Sequence, residues 1–439
     1  MAGGGLLLLL AFLTWGGTAP HAGQYWADVA VAGALLFALG TLCWWLLWSP
    51  LPAGMPAGAN PNPALRQAAA YAVAAGGIVF LGSGLWDETW RQAYSLAANG
   101  DPFQWQPNLL IYGSVGWITL TALGTALAAA RTPGNPRARW RRDPLLAGLG
   151  LLSLYPLLVI AADLIGHWAF AADSMAWGGS TPVLVVSTVA VMLAAVAVQS
   201  SVLPQPAEWT IRRLGLGELN TIILLAVAAA LLLLAGTGGW EHATERAMRP
   251  AGFYPAVILS VALFCGQIGL LVLRRPGTGV LIFAAVLLFR ATANFLFQQF
   301  FGMTETGAAA HFLALIPAAA MDVVYVYRAH EANQMSTSWL AIGVGSAALL
   351  ASGLLLIPSL VDYPPVDAGT LPGMVIAGIA AGFFYGWCGA RIGRAIAAAH
   401  HLPPLAEGMR MRLAALGAGA YIVLLVAAFL FMRSAPLPQ

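Results

Sequence analysis

Apolar runs of about 20 residues, separated by short stretches of Pro, Gly and charge, recur along the whole chain. At a rise of 1.5 Å per residue, roughly 20 such residues cross the hydrocarbon core of a bilayer as one helix. Read this way, the pattern predicts twelve spanning helices, at about 27–48, 67–86, 107–130, 144–165, 182–203, 218–237, 254–273, 278–300, 309–327, 338–358, 371–398 and 412–432. No stretch is left over for a soluble domain. The expected fold is therefore all-α: a polytopic transmembrane helix bundle forming a single integral membrane domain over residues 1–439. A further apolar segment, Gly5 to Gly16, is too short to span. It lacks a basic leading region, and Pro20-His21-Ala22 is a poor cleavage site, so an uncleaved anchor is favoured over a signal peptide.

Composition narrows the class further. The chain is 60% hydrophobic and 8% charged, against roughly 25% charged in soluble domains, which excludes a soluble enzyme. Its mean hydropathy is +0.78. A net charge of +3, scattered along the chain, is too small for nucleic-acid binding. Cys43, Cys265 and Cys388 all sit inside apolar runs without paired-Cys or Cys/His spacing, so neither a disulfide framework nor a zinc site is indicated.

All 20 basic residues are arginine, and their placement predicts orientation. Short cytoplasmic loops accumulate arginine. Arg66, Arg131, Arg137, Arg139, Arg141, Arg142, Arg212, Arg213, Arg274, Arg275, Arg328, Arg391, Arg394, Arg410 and Arg412 fall in alternate loops, whereas the opposite loops hold only Arg91, Arg246, Arg249 and Arg433. The arginine-rich loops are accordingly expected in the cytoplasm and the Asp87 and Asp163 loops outside a plasma (inner) membrane. The carboxylates lie the other way, eleven on the acid-rich side and five on the arginine-rich side. Either outer loops take their polarity from acids where arginine is excluded, or an acidic outer surface meets a cation, a metal or a basic partner.

The most specific stretch is Leu85-Trp86-Asp87-Glu88-Thr89-Trp90-Arg91, followed by Asp101-Pro102-Phe103-Gln104-Trp105-Gln106-Pro107-Asn108 and an apolar run through Tyr112. It resembles a family of polytopic bacterial and archaeal membrane proteins with the pattern W-D-x-x-W-H, a short loop, and D-x-F-x-x-P-x-H. More distantly it is similar to the C subunit of the copper-dependent membrane methane and ammonia monooxygenases. That resemblance implies a metal held by Asp and His one helical turn apart, with a second His from the next helix. Here Asp87 and Asp101 match the acidic positions, but Arg91 stands at the first His and Asn108 at the second, while Glu88 fills a variable position. A guanidinium cannot ligate a metal, and Arg91 is placed to pair with Asp87 instead. The motif reads as degenerate, and copper is not expected at this loop.

Two later loops repeat the theme and suggest duplicated helix pairs. Asp163 and His167 sit four residues apart, with Asp173 following and Pro182 opening the next run. Glu241-His242-Ala243-Thr244-Glu245 is a weaker copy. Asp163, His167 and Asp173, then Glu241, His242 and Glu245, are the candidate ligands for a divalent metal ion; a hydrogen-bonded structural Asp–His pair is the plainer alternative.

Inside the eighth run, Arg290, Asn294 and Gln298 recur every four residues as one polar stripe, and the ninth answers with His311, Asp322 and Tyr325. Charged residues at that depth face protein or water. The set reads as an intramembrane polar network fixing helix packing, or as a proton or substrate path. His400-His401 reads as a solvated pair facing anionic lipid heads. Three functions fit: a scaffold or accessory subunit of the metal-site family, partnered by the bilayer and other membrane subunits; a glycosyltransferase using a lipid-linked donor; and a twelve-helix transporter.

Overall fold

The computed structural model describes residues 26–50, 62–94, 106–131, 136–170, 180–204, 206, 208–244, 253–303, 312–360, 371–399, 402 and 405–435. The segment Gly5 to Gly16 and the His400-His401 pair lie outside them. In chain order the helices are α1 (Trp26–Leu47), α2 (Pro63–Tyr94), α3 (Gln106–Ala129), α4 (Pro136–Arg142), α5 (Pro144–Leu152), α6 (Pro156–Phe170) and α7 (Ser180–Ser200). Then come α8 (Leu216–Thr244), α9 (Phe253–Leu273), α10 (Thr278–Phe301), α11 (Leu315–Tyr327), α12 (Met335–Leu360), α13 (Leu371–Ala397) and α14 (Glu407–Ser434). Short 3₁₀ turns at Phe312–Ala314 and Ala329–Glu331 flank α11. There is no strand among the described residues. Among the described residues ten segments are long and apolar enough to cross a membrane, α5 and α6 counting as one, and Ile258–Leu273 and Phe312–Tyr327 are shorter apolar helices. These twelve fall where the hydrophobic runs predicted them, so the chain is a multi-pass helical membrane protein.

One expectation changes in detail. The fourth run, read as a continuous span over 144–165, is interrupted at Ser153–Tyr155 between α5 and α6. Pro156 has no N–H to donate and cannot continue the ladder behind it. The freed groups find local partners: Tyr155 N–H donates to the Leu152 carbonyl (3.1 Å), and the Thr119 hydroxyl of α3 donates to the Ser153 carbonyl (2.8 Å). In lipid such compensation is what makes a broken helix tolerable.

The core is built on α2 and α8. Ala69, Ala70 and Ala74 of α2 are fully buried, as are Leu224, Leu225, Ala226 and Val227 of α8. α2 packs against α3, α7, α8 and α14, and α8 packs against α7, α9 and α10. Lipid offers helices no apolar gain on association, so close van der Waals packing has to hold them. Small residues permit it, and the extreme case is the α9–α13 crossing. There a Cβ at Gly389 would lie 2.4 Å from the Phe264 carbonyl oxygen, so the two backbones meet with no side chain between them. α1 lies against α6 and α14 against α2 at the periphery. Their outward side chains, such as Phe37 at 73% and Leu416 at 70% exposure, are suited to lipid.

Candidate functional site

Trp86 and Trp90, one turn apart on α2, are both fully buried and set the rotation of that helix. Their rings meet edge to face at 4.9 Å, and both lie against Phe301 of α10, at 5.8 and 5.2 Å. Aromatic pairs favour such offset and edge-on geometry. With that face fixed inward, Asp87 is only half-buried. Arg66 at the start of α2 meets Asp143 at the start of α5, so Asp87 near the end of α2, Tyr112 near the start of α3 and Asp163 on α6 lie toward the opposite end of the bundle.

Asp87, Glu88, Asn108, Tyr112 and Asp163 all take part in further interactions. Asp101, Asp173, Glu245 and His311 lie outside the described residues, as do the side chains of Arg91, His167, Glu241 and His242. Among the described residues no three His, Cys, Asp or Glu side chains group so as to hold a metal ion. Asp87, Tyr112 and Asp163 offer oxygen alone, which suits a hard cation or a hydrogen-bonding partner rather than a soft metal.

The intramembrane stripe is divided in space. Arg290 is buried at 6% exposure, Asn294 is half-buried and Gln298 is exposed, so the stripe runs from the protein interior toward the surface of α10. Asp322 is occupied elsewhere. Its carboxylate accepts N–H bonds from Gly277 (2.9 Å), Gly279 (3.3 Å) and Val280 (2.8 Å), capping the start of α10 from α11. Three orphan donors and the positive end of the helix dipole meet one carboxylate there. Gly277, at φ +86°, turns the chain so that these donors point the same way. Arg290 lies ten residues beyond Val280, about 15 Å along the helix axis.

Tyr325 belongs to a separate chain of polar groups, in which Tyr325, Gln267 and Ser338 are fully buried. Its hydroxyl donates to Gln267 Oε1 of α9 (2.7 Å) and meets Ser338 Oγ of α12 (2.8 Å). Arg394 of α13 donates to the same Ser338 (2.7 Å) and to the Gln334 carbonyl (2.9 Å), while Trp209 stacks on the Tyr325 ring at 5.0 Å. Four helices are pinned by this network.

One ion pair buried on both sides was not legible as a site. Arg66, at the start of α2, donates Nε to Asp143 Oδ2 (2.8 Å) and Nη2 to Oδ1 (2.7 Å), while its Nη1 reaches Ser201 Oγ at the end of α7 (2.6 Å). Asp143 also accepts from Leu146 N–H (3.1 Å) as the N-cap of α5, before Pro144 in the first turn. The Asp-Pro pair is the sequence signal of that cap. Nothing local indicates that the guanidinium comes from 77 residues upstream. Nearby, Gln199 of α7 is fully buried with both amide atoms unpartnered, its Nε2 against Gly217 in the first turn of α8.

Comparison with known proteins finds no matching family model, no similar characterised protein and no similar solved structure. The chemistry of these sites is therefore carried by their own residues.

Proposed function

We propose that the chain is a scaffold or accessory subunit related to the membrane metal-site family, with the ancestral imidazole ligands lost at the Asp87 loop. The observation that supports this reading is the placement of Asp87, Tyr112 and Asp163 toward the end of the bundle opposite the Arg66–Asp143 contact, where oxygen-bearing side chains of three helices are available. An oxygen-only set there favours calcium or magnesium over copper. Arg91, standing where the family has His, would repel a cation rather than bind it. A soft metal would instead require His167 beside Asp163. Metal analysis of the purified protein, its Asp87→Ala and His167→Ala variants, and whatever subunits co-purify, tests the reading. The expected outcome is no stoichiometric copper in any form, and partner subunits in the preparation. Copper that survives His167→Ala and disappears in Asp87→Ala would overturn it.

A second reading, a transporter, is favoured by one observation. The break at Ser153–Tyr155 lies near the middle of its span, and discontinuous helices at mid-membrane are where many transporters bind their substrates. Uptake into vesicles abolished by changes at Thr119 or Tyr155, with the fold intact, would select this reading over the first.

A further inference from the structure

Five arginines fall within residues 131–142, and the segment's one neighbouring carboxylate is Asp143. That carboxylate is spent: both of its oxygens hold Arg66 in the protein interior. The described contacts of Arg137 and Arg141 include a hydroxyl and backbone carbonyls, which do not neutralise their charge.

α4 determines how that charge is presented. Trp140 is buried and anchors the short helix, while Arg137 and Arg141, one turn apart, reach the end of α1. Arg141 donates Nε to the Leu46 carbonyl (2.7 Å) and Nη2 to the carbonyls of Trp45 (3.2 Å) and Ser49, terminating α1 against its negative pole. Arg137 donates to Ser49 Oγ (2.6 Å), and its guanidinium lies 5.0 Å from the centre of the Trp45 ring. Trp44 and Trp48 stand beside them, 57% and 70% exposed. Arg131 is exposed at the end of α3, and both α1 and α3 pack against α4.

Two apolar spans thus end at one level, where wide indole faces and guanidinium groups lie side by side. Tryptophan collects at the headgroup depth of a bilayer, and clustered arginine there attracts anionic lipid. A soluble phosphate compound would make no use of the exposed indoles. We propose that this junction is a binding site for an anionic phospholipid, with Arg131 and Arg137 on its phosphodiester and Trp44 and Trp48 along its glycerol and upper acyl region.

The test places the full-length protein in nanodiscs of phosphatidylcholine containing a small fraction of spin-labelled phosphatidylglycerol and measures the lipid held at the protein surface. The double variant Arg131→Gln/Arg137→Gln removes two charges at the site. Arg391→Gln/Arg412→Gln removes two exposed charges elsewhere on arginine-rich segments. The first pair should lower the relative affinity for phosphatidylglycerol about tenfold or more, as expected for two charges near a lipid surface. The second pair should leave it unchanged, and Arg131→Lys/Arg137→Lys should retain most of it while reporting on folding. Equal losses in the two glutamine pairs, or no preference for phosphatidylglycerol over phosphatidylcholine in the native protein, would overturn the proposal.

Discussion

Removing one partner of the Arg66–Asp143 pair strands a charge in the protein interior, with both side chains at most 5% exposed. Breaking a buried pair in this way typically costs about 3–5 kcal/mol. Arg66→Leu and Asp143→Leu are each therefore expected to lower the thermal unfolding midpoint sharply in detergent, the second more so because it also removes the acceptor of Leu146 N–H. An unchanged midpoint in Arg66→Leu would mean that the pair is wetted. The exposed Arg328–Glu331 pair is the contrasting case. The Arg328 contact holds the Glu331 carboxyl below its ordinary value, so the interaction is present above the usual carboxylate range and fades as pH falls through the lowered one. Exposed pairs of this kind contribute little to stability. Gln199 carries the opposite sign. Its amide is fully buried without a protein partner, so Gln199→Leu, close in size, should raise stability by about 1 kcal/mol. A loss of stability there would show that a bound water or ligand satisfies the amide. Arg66 is legible in the sequence as an orientation marker, whereas the cap signal of Asp143 before Pro144 went unread. Their union was not legible, because it joins residues far apart in the chain through folding alone.

At the scale of elements, apolar run length was sufficient to locate the ten candidate spans and two shorter apolar helices among the described residues, since a helix crossing lipid must be continuous in hydrophobicity whatever its neighbours are. The break before Pro156 was written in the sequence, but hydrophobicity is blind to a missing N–H, so the run was read through it. The pairing of helices was also hidden, because small residues occur on many faces and only some meet a partner. Gly389 is one that does. Any side chain there would overlap the Phe264 carbonyl, which belongs to backbone and cannot rotate away. Gly389→Val should therefore force α9 and α13 apart and give little monodisperse protein on size exclusion, whereas the same change at Gly373, where a Cβ meets nothing, should be tolerated. Normal yield of Gly389→Val would mean that the crossing is looser than the packing implies.

Across the whole molecule, the polar groups sort by end. Asp87, Tyr112 and Asp163 lie toward one end, while Arg66, Arg137, Arg141, Arg212 and Arg394 are bound into loops and helix termini at the other. Arginine thus has a structural use at its own end, holding carbonyls and carboxylates, in addition to any part in directing insertion. Segregation of fifteen arginines against four over alternate loops predicts that the first end faces outward and the second inward. The prediction can be separated from packing. With Cys43, Cys265 and Cys388 replaced by serine or alanine, single cysteines at Arg139→Cys and Asp173→Cys should react with an impermeant thiol reagent from opposite faces of the membrane, Asp173→Cys in intact cells and Arg139→Cys only after the membrane is opened. The outcome depends on how many spans separate the two positions as well as on charge. Between them lies one crossing, formed by α5 and α6 together, so labelling of both from the same face would mean that the helix broken at Ser153–Tyr155 turns back instead of crossing.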